Sequence, residues 1–238
     1  MSNSRTNFTE FFELLTIRLV VFLRNGIEFF KVVVRYYRYS SFFKADILLR
    51  LHYLFRNPFA ISKRFLMLKG EQDIYAYGET PLTTLAMIAK RSGITPNDCV
   101  YELGCGRGRG CFWLGTVVGC SVVGIEYIPE FIQKADRIKS ILKLDRMEFR
   151  RQDFMDADCS FKDASILYLY GTCLEDKAIQ KLIKKFKTLP VGTKIITVSY
   201  PLSDYDPRSR FEVIDQFSVP FTWGEGDVFV HILRKKDS

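Results

Sequence analysis

The chain has 238 residues, 47% hydrophobic and 26% charged, a balance that excludes intrinsic disorder and a fibrous fold. Its net charge of +8 is uneven: residues 1–70 hold twelve Lys/Arg against four Asp/Glu, and 11 of the 21 Phe, while the remainder is neutral. All six cysteines lie between Cys99 and Cys173 with no C-x-x-C pair, and the only histidines are His52 and His231, so no disulfide framework and no metal site is expected.

Residues 8–38 follow a helical period. At about 100° per residue, Glu10, Glu13, Arg24, Glu28, Lys31, Arg35 and Arg38 share an arc of roughly 80°, with Arg18 outside it. The rest of the surface is Phe, Leu, Val and Ile, including Phe11, Leu15, Phe22, Phe30 and Val33. Asn25-Gly26 is a candidate break. Charges recur too often for a transmembrane span, and Glu10 and Glu13 stand where a signal peptide would be basic. Two readings stay open: a helix packed on the rest of the protein or a partner, and an interfacial helix on an anionic membrane. Nucleic-acid binding is not favoured, because charge alone gives only a non-specific footprint. One or two shorter helices follow from Ser41 to Leu68, broken near Asn57-Pro58.

From Thr80 the pattern alternates. Pro81–Arg91 reads as a helix capped by Thr80 and stopped by Gly93. Cys99–Leu103 is a short apolar strand running into Gly104-Cys105-Gly106-Arg107-Gly108. A helix resumes over about 107–118, and Ser121–Ile125 is a second strand closed by Glu126. Glycines at such a bend let the backbone approach a ligand, and an acid closing the second strand accepts ribose hydroxyls. Glu102, before the first glycine, would repel a pyrophosphate and suits a ligand bearing an ammonium group. Met147–Phe154, Ser165–Cys173 and Lys194–Tyr200 supply further strands. Two more, over 211–219 and 227–233, flank the turn at Trp223–Gly226.

E-L-G-C-G-R-G followed by G-I-E-Y resembles motifs I and II of class I S-adenosylmethionine-dependent methyltransferases. Tyr77-Gly78-Glu79-Thr80, about 25 residues upstream, resembles the cofactor-closing loop of the disruptor-of-telomeric-silencing family of histone lysine methyltransferases. The layout is also similar to that of the ATP synthase c-subunit lysine methyltransferases. The resemblance implies an α/β fold: a Rossmann-like seven-stranded methyltransferase sheet with helices on both faces, over 75–238, behind an N-terminal helical extension, 1–74. It implies S-adenosylmethionine as cofactor. Glu102, Gly104, Cys105, Gly106 and Gly108 would surround the methionine moiety, and Glu126 the ribose. Asp153 would take the adenine amino group, Phe154 and Tyr127 the base, and Tyr77, Glu79 and Thr80 the closing loop.

At motif IV the chain has Tyr170-Gly171 where the histone enzymes have paired asparagines, and no N-P-P-Y sequence. Tyr170 is the candidate at the methyl-transfer site, where its ring would flank the cofactor and a lysine chain by cation–π contact. Cys173 reads as a buried small hydrophobe before a nucleophile. Tyr200, Asp204 and Tyr205 lie on a polar loop that either is plainly solvated or lines a substrate channel, and Trp223 reads as an edge-packing residue before a substrate contact. The expected activity is methyl transfer to a protein lysine, by a cytoplasmic enzyme with peripheral membrane contact through 8–38. A small-molecule, lipid or RNA methyltransferase and a non-catalytic cofactor-binding module are the alternatives.

Overall fold

The computed structural model describes residues 3–206 and 210–235, with side chains from residue 15 onward. Three helices come first: α1 (Asn3–Tyr36), α2 (Ser40–His52) and α3 (Pro58–Lys69). Asn25-Gly26 does not break α1. One Asn-Gly pair costs only about 1 kcal/mol against better formers, and the helix runs through it. The stripe positions Glu10 and Glu13 lie outside the described side chains. The break at Asn57-Pro58 is where expected: the Asn57 side chain accepts from the Phe59 amide (2.9 Å), Pro58 opens α3, and Gly70 closes it at φ +74°.

Next come α4 (Leu82–Arg91), β1 (Cys99–Leu103), α5 (Arg109–Trp113), a π turn over Leu114–Val118, β2 (Ser121–Glu126), α6 (Pro129–Leu142) and β3 (Met147–Arg151). Then follow β4 (Ile166–Leu169), α7 (Asp176–Phe186), β5 (Lys194–Val198), β6 (Phe211–Pro220) and β7 (Glu225–Leu233). The strands form one sheet in the order β3-β2-β1-β4-β5-β7-β6, parallel except for β7, which runs antiparallel to β5 and β6. This is the Rossmann-like methyltransferase sheet. Its central strands are apolar on both faces because helices cover both: α7 presents Ile179, Leu182, Ile183 and Phe186 to one, and α4, α5 and α6 cover the other.

Packing crosses the expected boundary at residue 74. Phe42, Ala45 and Leu49 of α2, with Val32 and Tyr36 of α1, share one core with α4, α5 and α6. Buried Asp46 of α2 receives both Nε (2.6 Å) and Nη2 (3.1 Å) of Arg109, besides Arg50 Nε (3.3 Å) and the Tyr37 hydroxyl (2.8 Å). Burial would raise its pKa, but the guanidinium groups override this and hold it at about 2.

Thr80 does not cap α4. The helix begins one residue after Pro81, and the Thr80 hydroxyl lies 2.6 Å from that of Tyr168. The cap comes from α1 instead: Glu28 accepts from the Thr83 amide (3.0 Å) and hydroxyl (2.6 Å). A carboxylate suits the orphan amides and positive dipole end of a helix.

Candidate active site

At the carboxyl ends of β1, β2 and β4 the chain leaves the sheet, and two clefts open there. The first, about 750 Å³, is lined by Gly104 after β1, Glu126 and Tyr127 after β2, Asp153 and Phe154 after β3, and Tyr170 after β4. Loop residues Ala76, Tyr77 and Gly78, and Ser62 and Leu66 of α3, close its other side. This is the place where doubly wound sheets bind ligands.

Glu126 is 8% exposed and built into the bend. Its Oε2 accepts from the Gly106 amide (2.9 Å) and its Oε1 from the Ile128 amide (2.8 Å). Burial raises its pKa, and these amides oppose the rise. Asp153 Oδ1 is fixed by the Met155 amide at 2.8 Å. Gly104 sits at φ +74°, and a Cβ there would point at the Phe154 ring, 3.7 Å away, so the backbone is bare where the chain turns out of β1 into the cleft.

Other residues of the glycine loop stand behind the cleft, not in its lining. Glu102 turns under the start of α5, where it accepts from Cys111 Sγ (3.0 Å). A Cβ on Gly110 would sit 2.6 Å from its carboxylate. Burial pushes its pKa up to about 7. Gly106 and Gly108 shape the bend: a Cβ on Gly106 would meet Tyr77 at 2.9 Å, and one on Gly108 would meet Phe149 at 2.6 Å. Cys105 is buried among them.

The second cleft, about 610 Å³, adjoins the first through Tyr77, Gly78, Tyr170, Thr172 and Cys173. Glu79 and Thr80 line this one, with Arg107 and Arg109. Glu79 accepts from the Tyr77 hydroxyl and from Arg107 at Nε (2.5 Å) and Nη2 (2.9 Å). Burial works against its charge, but Arg107 holds the carboxyl below the usual range. The Tyr170 hydroxyl, raised in pKa by burial, accepts from Trp223 Nε1 at 2.6 Å. Its ring lies 5.4 Å from Phe221, which stacks on Trp223 (5.3 Å, 3°).

Three sequence readings need correction. Cys173 is exposed and borders both clefts, because β4 ends at Leu169 and the chain is already in the loop. Tyr200 is buried instead, Tyr205 packs on it, and with Asp204 they stand outside the lining of both clefts. Trp223 lines the second cleft. Two walls were not foreseen: α3 on the first cleft, and Val21, Asn25, Glu28 and Phe29 of α1 on the second. Their helical spacing reports burial periodicity and carries no sign of a ligand.

Neither histidine reaches a cleft lining. His231 is buried, accepts from the Leu202 amide at Nε2 (3.0 Å) and donates from Nδ1 to Ile195 O (3.0 Å), with its pKa lowered by burial to about 4. No group of three or more His, Cys, Asp or Glu able to hold a metal occurs among the described residues.

Residues 94–206 match a family described as a methyltransferase domain. A histone-lysine N-methyltransferase, H3 lysine-79 specific, from Dictyostelium discoideum is 25% identical over 170 residues, 65% of this chain and 9% of that protein. A sterol 24-C-methyltransferase from Eremothecium gossypii is 34% identical over 85 residues, 35% of this chain and 22% of that one. The chain thus spans under a quarter of the length of each of these two relatives. The crystal structure of an RNA methyltransferase from Salinibacter ruber in complex with S-adenosyl-L-homocysteine superposes with a TM-score of 0.53 at 22% identity. It covers 68% of this chain and 97% of that one.

The chain carries a class I methyltransferase domain on a Rossmann-like sheet. More narrowly, the domain is of the S-adenosylmethionine-dependent kind. The first cleft fits that cofactor: the backbone is bare at Gly104, the backbone-anchored Glu126 would take the ribose hydroxyls, and Asp153, Phe154 and Tyr127 would hold the base. When bound, it supplies an electrophilic methyl group.

Proposed function

We propose that the protein is an S-adenosylmethionine-dependent methyltransferase whose acceptor is a lysine side chain of a protein. The observation that carries the reading is the junction of the two clefts at Tyr77, Gly78 and Tyr170. It carries two aromatic rings, Tyr77 and Tyr170, and no histidine lines it. A lysine must arrive neutral to accept a methyl group, against a free pKa of about 10.4. An apolar passage disfavours the ammonium and lowers that pKa, so no strong base is needed. Tyr170 and Trp223 then flank the cation that forms as the methyl group is transferred, with Phe221 buried behind them. The chain's own contribution is alignment and exclusion of water. Similarity to the histone-lysine enzyme favours this acceptor class. Peripheral contact with a membrane through residues 8–38 belongs to the same reading, in a cytoplasmic enzyme.

The test is incubation of the full chain with methyl-labelled cofactor and separated protein, lipid and RNA fractions of its source cell. Labelled N-methyllysine in protein hydrolysates is the expected result. Label confined to lipid, RNA or small molecules would overturn the lysine reading, and cofactor binding without turnover would leave only a binding module.

A further inference from the structure

Every residue from Leu15 to Ile27 of α1 is exposed, although eight of these thirteen are Leu, Ile, Val or Phe, with Phe22 73% exposed. So broad an apolar surface, broken by Thr16, Arg18, Arg24 and Asn25, is unfavourable in water on every side. A second apolar projection stands at the corner between α2 and α3: Leu51, Leu54 and Phe55, the last 93% exposed. The second cleft opens beside the α1 projection and reaches Arg50, the neighbour of Leu51; its lining includes Val21 and Phe29 of α1, Phe59 of α3, Tyr75 and Trp223. All five are exposed hydrophobics. A cleft for a freely dissolved polar acceptor has no need of such a lining.

Charge says what covers this surface. From Leu15 to Gly70 the Lys and Arg residues far outnumber the acids, which are only Glu28 and Asp46. Glu28 is committed to Thr83, and Asp46 to Arg109 and Arg50. Arg56 pairs with Glu130 outside the segment, but Lys31, Arg35, Arg38, Lys44 and Arg64 have no acid of their own segment left to neutralise them. Among the described residues no helix is long and apolar enough to cross a membrane. Apolar side chains interleaved with unneutralised bases, on a surface that does not span, match the interface of an anionic bilayer.

We propose that the exposed part of α1 and the Leu51–Phe55 corner together lie on an anionic phospholipid bilayer, and that the second cleft opens toward it, so that the acceptor is taken at headgroup depth. The corner is an anchor separate from α1, and two anchors fix an orientation that one helix leaves free to roll. This rests on the proposed function for the acceptor's identity and extends the peripheral membrane contact proposed there to a second anchor and an orientation.

The experiment is co-sedimentation of the full chain with vesicles of phosphatidylcholine alone and of phosphatidylcholine with phosphatidylglycerol, with no turnover required. Binding is expected only with the anionic vesicles, and it weakens on going from about 0.1 M to about 1 M salt. The double variant Leu54→Ser, Phe55→Ser should lower partitioning at least roughly tenfold, the worth of one large buried side chain. Arg18→Glu with Arg24→Glu should lower it as well. Cofactor affinity by calorimetry should stay unchanged in both variants, since none of these positions lines the first cleft. Equal binding to neutral vesicles, or full binding by the corner variant, would overturn the proposal. So would a self-association that the corner variant abolishes, which would assign the patch to a second copy of the chain. If vesicles bind as expected but no lysine is methylated, the acceptor reading fails alone.

Discussion

Arg107 lies bidentate on Glu79, with Nε to Oε1 at 2.5 Å and Nη2 to Oε2 at 2.9 Å, and so ties the glycine bend after β1 to the loop that crosses both clefts. The same carboxylate receives the Tyr77 hydroxyl, and a Cβ on Gly106 would meet the Tyr77 ring. Replacing the guanidinium by an isosteric apolar chain leaves a partly buried carboxylate unpaired. Arg107→Met is therefore expected to cost about 3 kcal/mol and to weaken cofactor binding as Tyr77 loses its anchor. Because the Glu79 pKa is depressed, its stabilising contribution is present above the ordinary carboxylate range and lost as pH falls through the lowered value. The wild-type advantage over Arg107→Met, read by urea unfolding, should shrink at acid pH.

Gly106 offers a more local test. Its φ is +55°, and an added Cβ would lie 2.9 Å from Tyr77 Cε2. A side chain there pays about 1 kcal/mol for the left-handed backbone and must also push a ring that borders both clefts. Gly106→Ala should raise the cofactor Kd by at least about tenfold, measured by calorimetry, with a smaller effect on the unfolding midpoint. Unchanged affinity would show that Tyr77 does not shape the cofactor cleft.

Much of this was legible in the chain. The alternation of apolar strands with periodic helices fixed the sheet, since a β-branched run such as Val122-Val123 is buried on both faces only in a parallel layer. Glu126 was legible because an acid closing the second strand has a defined place beyond the sheet. Sequence places Glu102 one step before the bend, but only packing shows that its carboxylate turns under Gly110. The Glu28 cap on α4 was invisible, as it joins residues 55 apart and helical periodicity assigns that position to a solvated stripe. The same distance in sequence hid Trp223 behind Tyr170.

The buried Glu102 makes stability depend on pH in the opposite sense from Glu79. Burial raises its pKa to about 7 in the folded chain. Between the unfolded value, about 4.3, and 7, the folded state holds a proton that the unfolded state has released. Stability from this group therefore falls as pH rises through that window and is flat above it. Glu102→Gln keeps the shape and removes the titration. It should be more stable than the wild type at pH about 8 by an amount on the order of 3 kcal/mol, and near parity at pH about 4. Thermal or urea midpoints at the two pH values check this; a parallel offset at both would show that ionisation of Glu102 is not the cause.

Tyr170 separates the ring from its hydroxyl. The hydroxyl accepts from Trp223 Nε1 at 2.6 Å, while the ring borders both clefts and would touch a Cβ on Gly78 at 3.1 Å. If the ring stabilises developing positive charge, Tyr170→Phe should keep kcat within about threefold. Tyr170→Leu should lower it by about 10- to 30-fold, the range of a desolvated cation–π contact. Trp223→Phe removes the hydrogen bond but keeps an aromatic stack on Phe221, so combining it with Tyr170→Phe should add nothing further. A loss in Tyr170→Phe as large as in Tyr170→Leu would make the hydroxyl, and not the ring, the reacting partner at this junction.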